Sequence, residues 1–379
     1  MAGRAVSKKE KRNPPSRRVT PRAPLSLFIS ITSRCNLACR HCAVYSDNLT
    51  YGPDLTTSQW LSFIDQIAHL MVFRVKISGG EPFVREDIFD ILDRLSQKSI
   101  RVSINTNAAL IDEGAVLRLA SYGAKLSDVM VSLDGASAST HDALRGRGAF
   151  DDMMTGLARL VKHVRRVSAY CTVTRLNFRE LTDVARVASE VGLGAVKFNE
   201  LILLGRGLKY RDDLVLTLDE ERETTARLRE LKEVYPFISG TFFEKDEIFE
   251  RIRSAAPERL EEPSSMENYL SGCGALTKEC AIRPDGWATP CDRLPDVVAQ
   301  NILDAPLDVI WRESAAFTEF RRRFVTPITS LDTCVDCRYA PLCTGGCAAS
   351  AYSAYGTTLA RDPSCCYRLF EEETAHAPS

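Results

Sequence analysis

The sequence predicts an α/β protein in which six strands alternate with helices and curl into a partial barrel. Its 379 residues are 45% apolar, which is enough for one large core and a smaller second unit. Short apolar, β-branched segments recur along the first half of the chain, with helical periodicity between them. Parallel strands need such crossovers, so the alternation favours a parallel (β/α)6 sheet. We expect strands at residues 27–32, 73–78, 100–105, 129–133, 169–174 and 195–198.

The helical segments between these strands carry start signals of their own. Thr56 and Gln59 form a capping-box pattern ahead of apolar residues at helical spacing. In a barrel of βα units the carboxyl ends of the strands form one rim, where the active site lies. A reactive segment that directly follows a strand is therefore a candidate part of the site.

Composition divides the chain into five parts. We expect the barrel over residues 25–235 and a cysteine-rich unit over 273–367, joined by an irregular connector at 236–272. The basic arm, 1–24, and the polar tail, 368–379, have too few apolar residues for a core and are expected to be disordered. Docking of an acidic peptide or partner on the arm is an alternative.

Charge and hydropathy exclude several classes of function. The chain has 49 Lys and Arg residues against 50 Asp and Glu residues, a balance that predicts no binding to nucleic acid or to an anionic membrane. No apolar run approaches the ~20 residues of a membrane span, and no export signal is visible. The 13 cysteines cluster at metal-ligand spacings, which favours metal binding in the cytoplasm over disulfides.

The most specific motif is a cysteine triplet directly after the first expected strand. Cys35, Cys39 and Cys42 have the spacing C-x3-C-x2-C. Three thiolates can hold three irons of a [4Fe–4S] cluster and leave the fourth iron open for chemistry, whereas closed structural sites use four protein ligands. A zinc site with His41 as the fourth ligand is an alternative, but zinc motifs usually consist of two separated pairs.

A second motif follows the second expected strand. Gly79 and Gly80 allow the backbone to approach a ligand closely, and Glu81 supplies an acceptor for an ammonium group. A tight strand-to-helix turn with Pro82 near the helix start is the alternative. The combination of this motif with the cysteine triplet is stronger than either motif alone.

With these two motifs, the N-terminal part of the chain resembles a radical S-adenosylmethionine (SAM) enzyme. The resemblance implies a partial (β/α)6 TIM-like barrel in which the triplet binds a [4Fe–4S] cluster and residues 79–82 bind the SAM amino group. An electron passed from the reduced cluster to SAM would release methionine and a 5′-deoxyadenosyl radical, while the protein supplies orientation and excludes water. The resemblance also implies an external electron donor of the flavodoxin or ferredoxin type.

Further SAM contacts are implied only by this resemblance. Asn105 matches the position that meets the ribose, and Ser132 and Asp134 match positions near the methionine moiety. Arg145 matches the arginine that pairs with the SAM carboxylate. Ala108 departs from the family pattern, which usually has Gly there, and suggests a small change at the rim without loss of SAM binding.

In the C-terminal unit, Cys273 is followed by Cys280 and Gly286-x4-Cys291, and then by Cys334-x2-Cys337-x5-Cys343-x3-Cys347 and Cys365. This pattern resembles the SPASM domain, which holds two auxiliary [4Fe–4S] clusters and would bring the total to three. A zinc ribbon is an alternative that fits four cysteines but not eight. By this resemblance the ligands of the nearer cluster are Cys273, Cys280, Cys291 and Cys347, and those of the outer cluster are Cys334, Cys337, Cys343 and Cys365. Four ligands would leave the nearer cluster no vacancy for a substrate thiolate and favour a role in electron transfer.

Three other residues of this unit and the barrel are candidates for chemistry. Asp292 follows Cys291 and resembles a general base of the sulfatase-maturing branch, with a solvated turn residue as the alternative. Cys171, in the fifth expected strand, and Cys366 are left over. Core packing is the expected role of Cys171, and a hydrogen-atom donor is the alternative for either cysteine.

Three functions fit these features. The first is radical modification of a ribosomal peptide or protein side chain, giving an oxidised, cross-linked or decarboxylated product. The second is dehydrogenation or epimerisation of a small metabolite such as a sugar, aminocyclitol, nucleoside or tetrapyrrole. The third, an iron–sulfur electron carrier, is disfavoured because a carrier needs no SAM site. Only about 25 residues precede the first strand, so either a peptide substrate needs a separate leader-binding protein or the substrate is small.

Overall fold

The computed structural model describes residues 21–44, 51–244, 268–271, 273–337, 340 and 343–363. Its strands are β1 (Ser26–Ser30), β2 (Arg74–Ser78), β3 (Arg101–Thr106), β4 (Leu126–Ser132), β5 (Val167–Val173), β6 (Ala195–Glu200), β7 (Ile238–Ser239), β8 (Glu279–Ile282) and β9 (Ala288–Thr289). They form one sheet in the order β7-β6-β5-β4-β3-β2-β1-β8-β9. The neighbours from β7 to β8 are parallel, and β9 pairs antiparallel with β8. The six expected strands and their parallel arrangement are therefore confirmed.

Helices alternate with the barrel strands, as expected. They are α1 (Thr57–His69), α2 (Ile88–Gln97), α3 (Glu113–Ser121), α4 (Ala138–Arg145), α5 (Ala149–His163), α6 (Leu181–Val191), α7 (Gly205–Lys209), α8 (Arg211–Leu214), α9 (Leu218–Val234), α10 (Leu307–Glu313), α11 (Ala315–Arg321) and α12 (Ala348–Tyr355). The capping box of α1 is present, with Thr56 and Gln59 each bonded to the other's backbone. No helix in the described part of the chain is long and apolar enough to span a bilayer.

The two faces of the barrel sheet differ in chemistry. Leu27 and Val75 belong to the apolar core on the outer face. Phe28 and Lys76, one position further along the same strands, line an internal cavity instead. Because side chains alternate along a strand, the sheet presents a fully apolar face to the helices and a mixed face to the cavity.

Two strands begin earlier than the sequence predicts. β4 begins at Leu126 and β5 at Val167, and the additional residues include Asp128 and Ser168. The Ser168 hydroxyl donates to Asp128 Oδ2 at 2.6 Å. Such polar residues interrupt the apolar pattern, so a prediction based on that pattern starts both strands too late.

The C-terminal unit joins the barrel sheet directly. β8 pairs with β1 in the register Ser26↔Glu279, and β7 pairs with β6 inside the segment expected to be an irregular connector. Both pairings join residues far apart in the chain, which a local pattern does not predict. The expected arm up to residue 20, the connector residues 245–267, Cys365, Cys366 and the tail lie outside the described residues.

Candidate active site

A cavity of about 440 Å³ lies at the carboxyl ends of the barrel strands. Its walls come from the loop after β1, the inward side chains of the sheet and the C-terminal unit. The predicted site residues that line it are Cys35, Cys39, Cys42, Gly80, Glu81, Asn105, Ser132, Arg145, Cys273, Cys291, Asp292 and Cys347. The predicted residues that are described but lie outside this lining are Gly79, Pro82, Asp134, Cys280, Cys334, Cys337 and Cys343.

The loop that carries the triplet is anchored at both ends. At its start, Asp54 accepts hydrogen bonds from the Thr32 hydroxyl at 2.5 Å and from the Ser33 backbone N–H at 2.9 Å. At its end, the Arg206 backbone N–H donates to the Cys42 carbonyl oxygen at 2.9 Å. These bonds hold the three cysteines at the cavity without a disulfide among them.

The triplet thiols lie close to one another, with Cys39 buried and Cys35 and Cys42 half-buried. Burial raises the pKa of the Cys35 thiol to about 11, and the neighbouring Cys39 and Cys42 thiols add to the rise. Burial also raises the pKa of Cys39, against the opposing effect of Arg145. Metal coordination would hold such groups as thiolates. Three thiols directed into one cavity fit the donor set of a three-cysteine iron–sulfur cluster.

His41, the alternative fourth ligand, is directed elsewhere. Its Nε2 lies 3.2 Å from Asp134 Oδ2, and its Nδ1 is buried without a partner among the described residues. Within those residues, no group of three or more His, Cys, Asp or Glu side chains converges on a site for a single metal ion. In this arrangement His41 belongs to the ion-pair network behind the triplet.

The turn of Gly79 and Gly80 is hydrogen-bonded to the triplet loop. Gly79 has φ +142°, and a Cβ there would lie 2.6 Å from the Thr32 carbonyl oxygen, so only glycine fits. The Gly80 N–H donates to that same oxygen at 2.9 Å. Pro82 is the first residue of a short 3-10 helix, Pro82–Val84, that directly follows the turn. The two motifs recognised in the sequence thus form one structural unit.

Glu81 is a buried carboxylate at the cavity wall. It accepts hydrogen bonds from the Thr106 hydroxyl and the Asn107 backbone N–H, both at 2.7 Å, and from the Phe83 N–H at 3.2 Å. Burial nevertheless raises its pKa to about 7. A positive group beside it would favour the ionised form, so the site is suited to an ammonium group.

Arg145 and Asp134 form a buried ion pair behind the triplet. Arg145 Nε donates to Asp134 Oδ2 at 2.5 Å, and Arg145 Nη1 lies 3.7 Å from Cys39 Sγ. Although burial opposes ionisation, Arg145 and His41 hold the pKa of Asp134 well below its usual range. The sequence places Asp134 beside methionine, whereas the structure buries it outside the cavity, where it orients Arg145. Arg145 itself lines the cavity and can meet a carboxylate there.

Asn105 and Ser132 lie at the ends of neighbouring strands and both line the cavity. Asn105 Oδ1 is buried and has no hydrogen-bond partner among the described residues. Buried polar atoms are rarely left unpaired in native proteins. A ligand hydroxyl group in the cavity, such as that of a ribose, would satisfy this atom.

Ala108, which stands where the family usually has glycine, packs against Gly156 of α5. Ala108 is fully buried and has φ +62°, a conformation that favours glycine. A Cβ at Gly156 in α5 would lie only 2.0 Å from the Ala108 carbonyl oxygen. Helix α5 therefore approaches this turn closely because residue 156 is glycine, and the departure from the family pattern leaves the rim intact.

Three of the four cysteines predicted for the nearer auxiliary cluster reach the cavity. Cys273, Cys291 and Cys347 line the part of the cavity that the C-terminal unit contributes. Burial raises the pKa of the Cys273 thiol, and Cys347 raises it further, which places these two thiols near each other. The arrangement fits a cluster at the side of the cavity formed by the C-terminal unit.

Cys280 is directed away from these three cysteines. It pairs in register with Leu27, which packs in the outer apolar core, while its neighbour Glu279 lines the cavity. The Cys280 thiol is fully buried, and Arg321 is its charged neighbour besides Glu279. The resemblance to the SPASM domain groups Cys280 with the nearer cluster, but alternation along β8 turns its side chain to the opposite face.

The cysteines predicted for the outer cluster lie together in a separate place. Cys334, Cys337 and Cys343 pack around Leu270 and Ile328 in a small apolar cluster. The Gly345 N–H donates to Cys343 Sγ at 3.2 Å. Cys365, the fourth expected ligand, lies outside the described residues, as does Cys366.

Asp292 and Cys171 differ in their access to the cavity. Asp292 lines it, and its Oδ1 accepts from the Cys291 thiol at 3.3 Å. Cys171 is fully buried in the apolar core, and burial raises its pKa well above the usual value. A base at residue 292 can therefore meet a ligand, whereas the expected packing role of Cys171 agrees with its position.

The sequence analysis missed several inward-facing side chains. Lys76 on β2 and Tyr170 on β5 line the cavity, and Arg293 lies beside the Tyr170 ring hydroxyl and Asp292. The signal that could have found Lys76 is its place between Val75 and Ile77 in an otherwise apolar strand. A polar residue that alternates with buried ones marks the inner face of a barrel.

Comparison with known proteins gives consistent matches over nearly the whole chain. A model of the radical SAM superfamily matches residues 29–188, and a model of SPASM, an iron–sulfur cluster-binding domain, matches residues 273–338. AdoMet-dependent heme synthase of Methanosarcina barkeri is 32% identical, covering 91% of this chain and 97% of that protein. Mycofactocin maturase MftC of Mycolicibacterium smegmatis is 30% identical, covering 90% and 83%. SuiB of Streptococcus suis, solved with precursor peptide SuiA, shares the fold with a TM-score of 0.69 at 18% identity, covering 91% and 76%.

Proposed function

This chain belongs to the radical SAM superfamily, and from that premise we propose that it abstracts a hydrogen atom from a side chain of a ribosomal peptide or protein. It is a radical SAM enzyme with an iron–sulfur SPASM domain. We infer an oxidised, cross-linked or decarboxylated product. The observation that supports this proposal is the single cavity that contains the triplet, the SAM-binding motif, Asp292 and cysteines of the C-terminal unit.

The residues at the rim end of the cavity fit the two charged ends of SAM. Glu81 offers a buried carboxylate to the ammonium group, and Arg145 offers its guanidinium to the carboxylate. Asn105 Oδ1 offers a hydrogen-bond acceptor to the ribose. The cysteine triplet would hold a [4Fe–4S] cluster that, with SAM, supplies a 5′-deoxyadenosyl radical.

Asp292 is the residue that we assign to the substrate. It lines the cavity as part of the C-terminal unit. As a general base it would accept a proton from the substrate. The two further clusters would be held by the cysteines of the C-terminal unit. Cys273, Cys291 and Cys347 would hold the cluster at the cavity, and Cys334, Cys337 and Cys343 the outer one, with Cys365 as its expected fourth ligand.

Peptide and metabolite substrates are both represented among the relatives. The maturase MftC and the SuiB complex with a precursor peptide support a peptide substrate. The heme synthase relative supports the second candidate, the same radical chemistry on a small metabolite such as a tetrapyrrole. We further propose an external flavodoxin- or ferredoxin-type electron donor and, for a peptide substrate, a separate leader-binding protein.

Deuterium transfer distinguishes the two candidates. The reconstituted full chain is incubated with SAM, dithionite and perdeuterated forms of short peptides encoded beside its gene, and the 5′-deoxyadenosine is analysed by mass spectrometry. We expect one deuterium to appear in 5′-deoxyadenosine from a peptide. Transfer from a deuterated tetrapyrrole or sugar, with none from the peptides, would establish the metabolite function instead.

A further inference from the structure

Lys76 places a positive charge inside the barrel, deeper than the SAM-binding motif. It stands in the middle of β2, two residues before Ser78 at the carboxyl end of the strand. In the sheet it lies between Phe28 of β1 and Ser103 of β3. Its side chain lines the cavity, so it faces the space that remains beneath a molecule bound at the rim.

The Lys76 ammonium group has no anionic partner in contact with it. Its Nζ lies 4.3 Å from the centre of the Phe28 ring, and within the described residues it makes no ion pair or hydrogen bond. Burial lowers its pKa. Lys76 is half-buried at the cavity, and its ammonium group has three donors. The ring of Phe28 stabilises the cation from one side and leaves its donors available.

Other cations at the cavity already have partners. The Arg145 guanidinium is held by Asp134, and Arg293 lies beside Tyr170 and Asp292. Arg145 also stands next to Cys39 of the triplet, where a SAM carboxylate is expected. Lys76 is therefore a cation that the predicted SAM contacts do not use.

We propose that Lys76 binds a carboxylate group of the substrate and thereby orients the substrate inside the barrel. The inference rests on the proposed function, since it assumes that a substrate occupies the cavity with SAM. It makes Lys76 a specificity-determining residue that selects substrates with a free carboxylate at the end that enters the barrel.

The surrounding charges favour a carboxylate over a phosphate. Asp292 and Glu279 stabilise the Lys76 cation, while Lys197 and Arg293 oppose it. A singly charged carboxylate matches the single charge of the Lys76 ammonium group. A phosphate dianion would bring a second negative charge toward Asp292 and Glu279, and like charges at short range are unfavourable.

Saturation-transfer NMR on the intact holoenzyme tests this proposal with small probes. The protein is kept oxidised and saturated with SAM, so that the SAM carboxylate site is filled. Propionate is the probe, propionamide its neutral counterpart, and inorganic phosphate a competitor. We expect a propionate signal for the natural chain that falls at least fivefold in Lys76→Met, is retained in Lys76→Arg, and is unchanged in Lys162→Met, an exposed lysine of α5.

Each outcome decides the question. Absence of propionate binding to the natural chain, equal binding to Lys76→Met, or equal binding of propionamide would overturn the assignment. Displacement of propionate by equimolar phosphate would overturn the preference for a carboxylate. Loss of iron or SAM binding in Lys76→Met would show misfolding, and Lys76→Gln, which is polar but uncharged, then takes its place with the same expected loss of signal. Failure of the natural chain to form 5′-deoxyadenosine with dithionite would refute the proposed function separately.

Discussion

The triplet loop of the barrel and the cysteine-rich unit differ in how far cysteine spacing predicts their geometry. Cys35, Cys39 and Cys42 share one short loop, and all three line the cavity. The cysteines of the C-terminal unit come from separate segments, and Cys280 lies on a strand that turns its thiol away from Cys273 and Cys291. Spacing within a loop thus brings ligands together, whereas on a strand the alternation of side chains decides.

The largest expected effect tests the triplet side of this comparison. Replacing Cys35, Cys39 and Cys42 together with Ala should abolish SAM cleavage, because these three thiols are the proposed ligands of the cluster that binds SAM. The variant should keep about two-thirds of the iron if three cubanes form in the natural chain. Iron analysis and chromatography of 5′-deoxyadenosine measure both. Cys171→Ala, a buried cysteine outside the cavity, is the matched control.

The next effect tests the side of the cavity formed by the C-terminal unit. Asp292→Asn removes the proposed base while it preserves size, and product formation should fall about 100-fold or more. SAM cleavage should continue, because Asp292 is not among the residues proposed to hold the cluster or SAM. Mass spectrometry of product and 5′-deoxyadenosine in the same reaction separates the two effects. Unchanged product formation would remove Asp292 from the mechanism.

A smaller effect concerns Glu81 and the pH dependence of SAM binding. Its pKa is raised to about 7 by burial, so the carboxylate loses its charge as the pH falls through that value. The affinity for SAM should weaken below pH 7, by up to about tenfold per pH unit. Glu81→Gln should bind SAM more weakly at pH 8 and lose this dependence. Equilibrium dialysis from pH 6 to 8 measures it, and an unaltered profile in the variant would contradict the role.

The smallest expected effect concerns Cys280. It tests most directly whether side-chain alternation on a strand, and not cysteine spacing, decides which cysteines are ligands. Cys280→Ser should retain the iron content of the natural chain, because its thiol faces the apolar core. Cys291→Ser should lose up to about four irons, those of one cubane. Iron analysis of the two variants in parallel is sufficient. Equal iron loss in both would show that Cys280 is a cluster ligand after all.

The fold could be predicted from the sequence where the signals are local. Strand and helix patterns repeat along the barrel, and the capping box at Thr56 is formed as expected. The pairing of β8 with β1 could not be predicted, because it joins residues more than two hundred positions apart. The early start of β4 was missed because Asp128 is a polar residue at an inward position.

In the candidate site, too, the sequence predicts only those features whose residues are close together in the chain. The triplet and the glycine turn were found because their residues are contiguous, and the structure joins them through Thr32. Asp134 is expected beside SAM, because a resemblance assigns positions but not the direction of a side chain. In the structure its carboxylate forms an ion pair with Arg145 instead. The sequence analysis missed Lys76 because a single charged residue within a strand belongs to no recognisable sequence motif.

The most direct test of the central claim is the formation of 5′-deoxyadenosine by the reconstituted full chain with SAM and dithionite. We predict its formation under anaerobic conditions, with about twelve irons bound per chain if three cubanes are present. The product should depend on both the iron and the reductant. A chain that binds this iron and SAM but forms no 5′-deoxyadenosine would contradict the assignment of the cavity at Cys35, Cys39 and Cys42 as a site of radical chemistry.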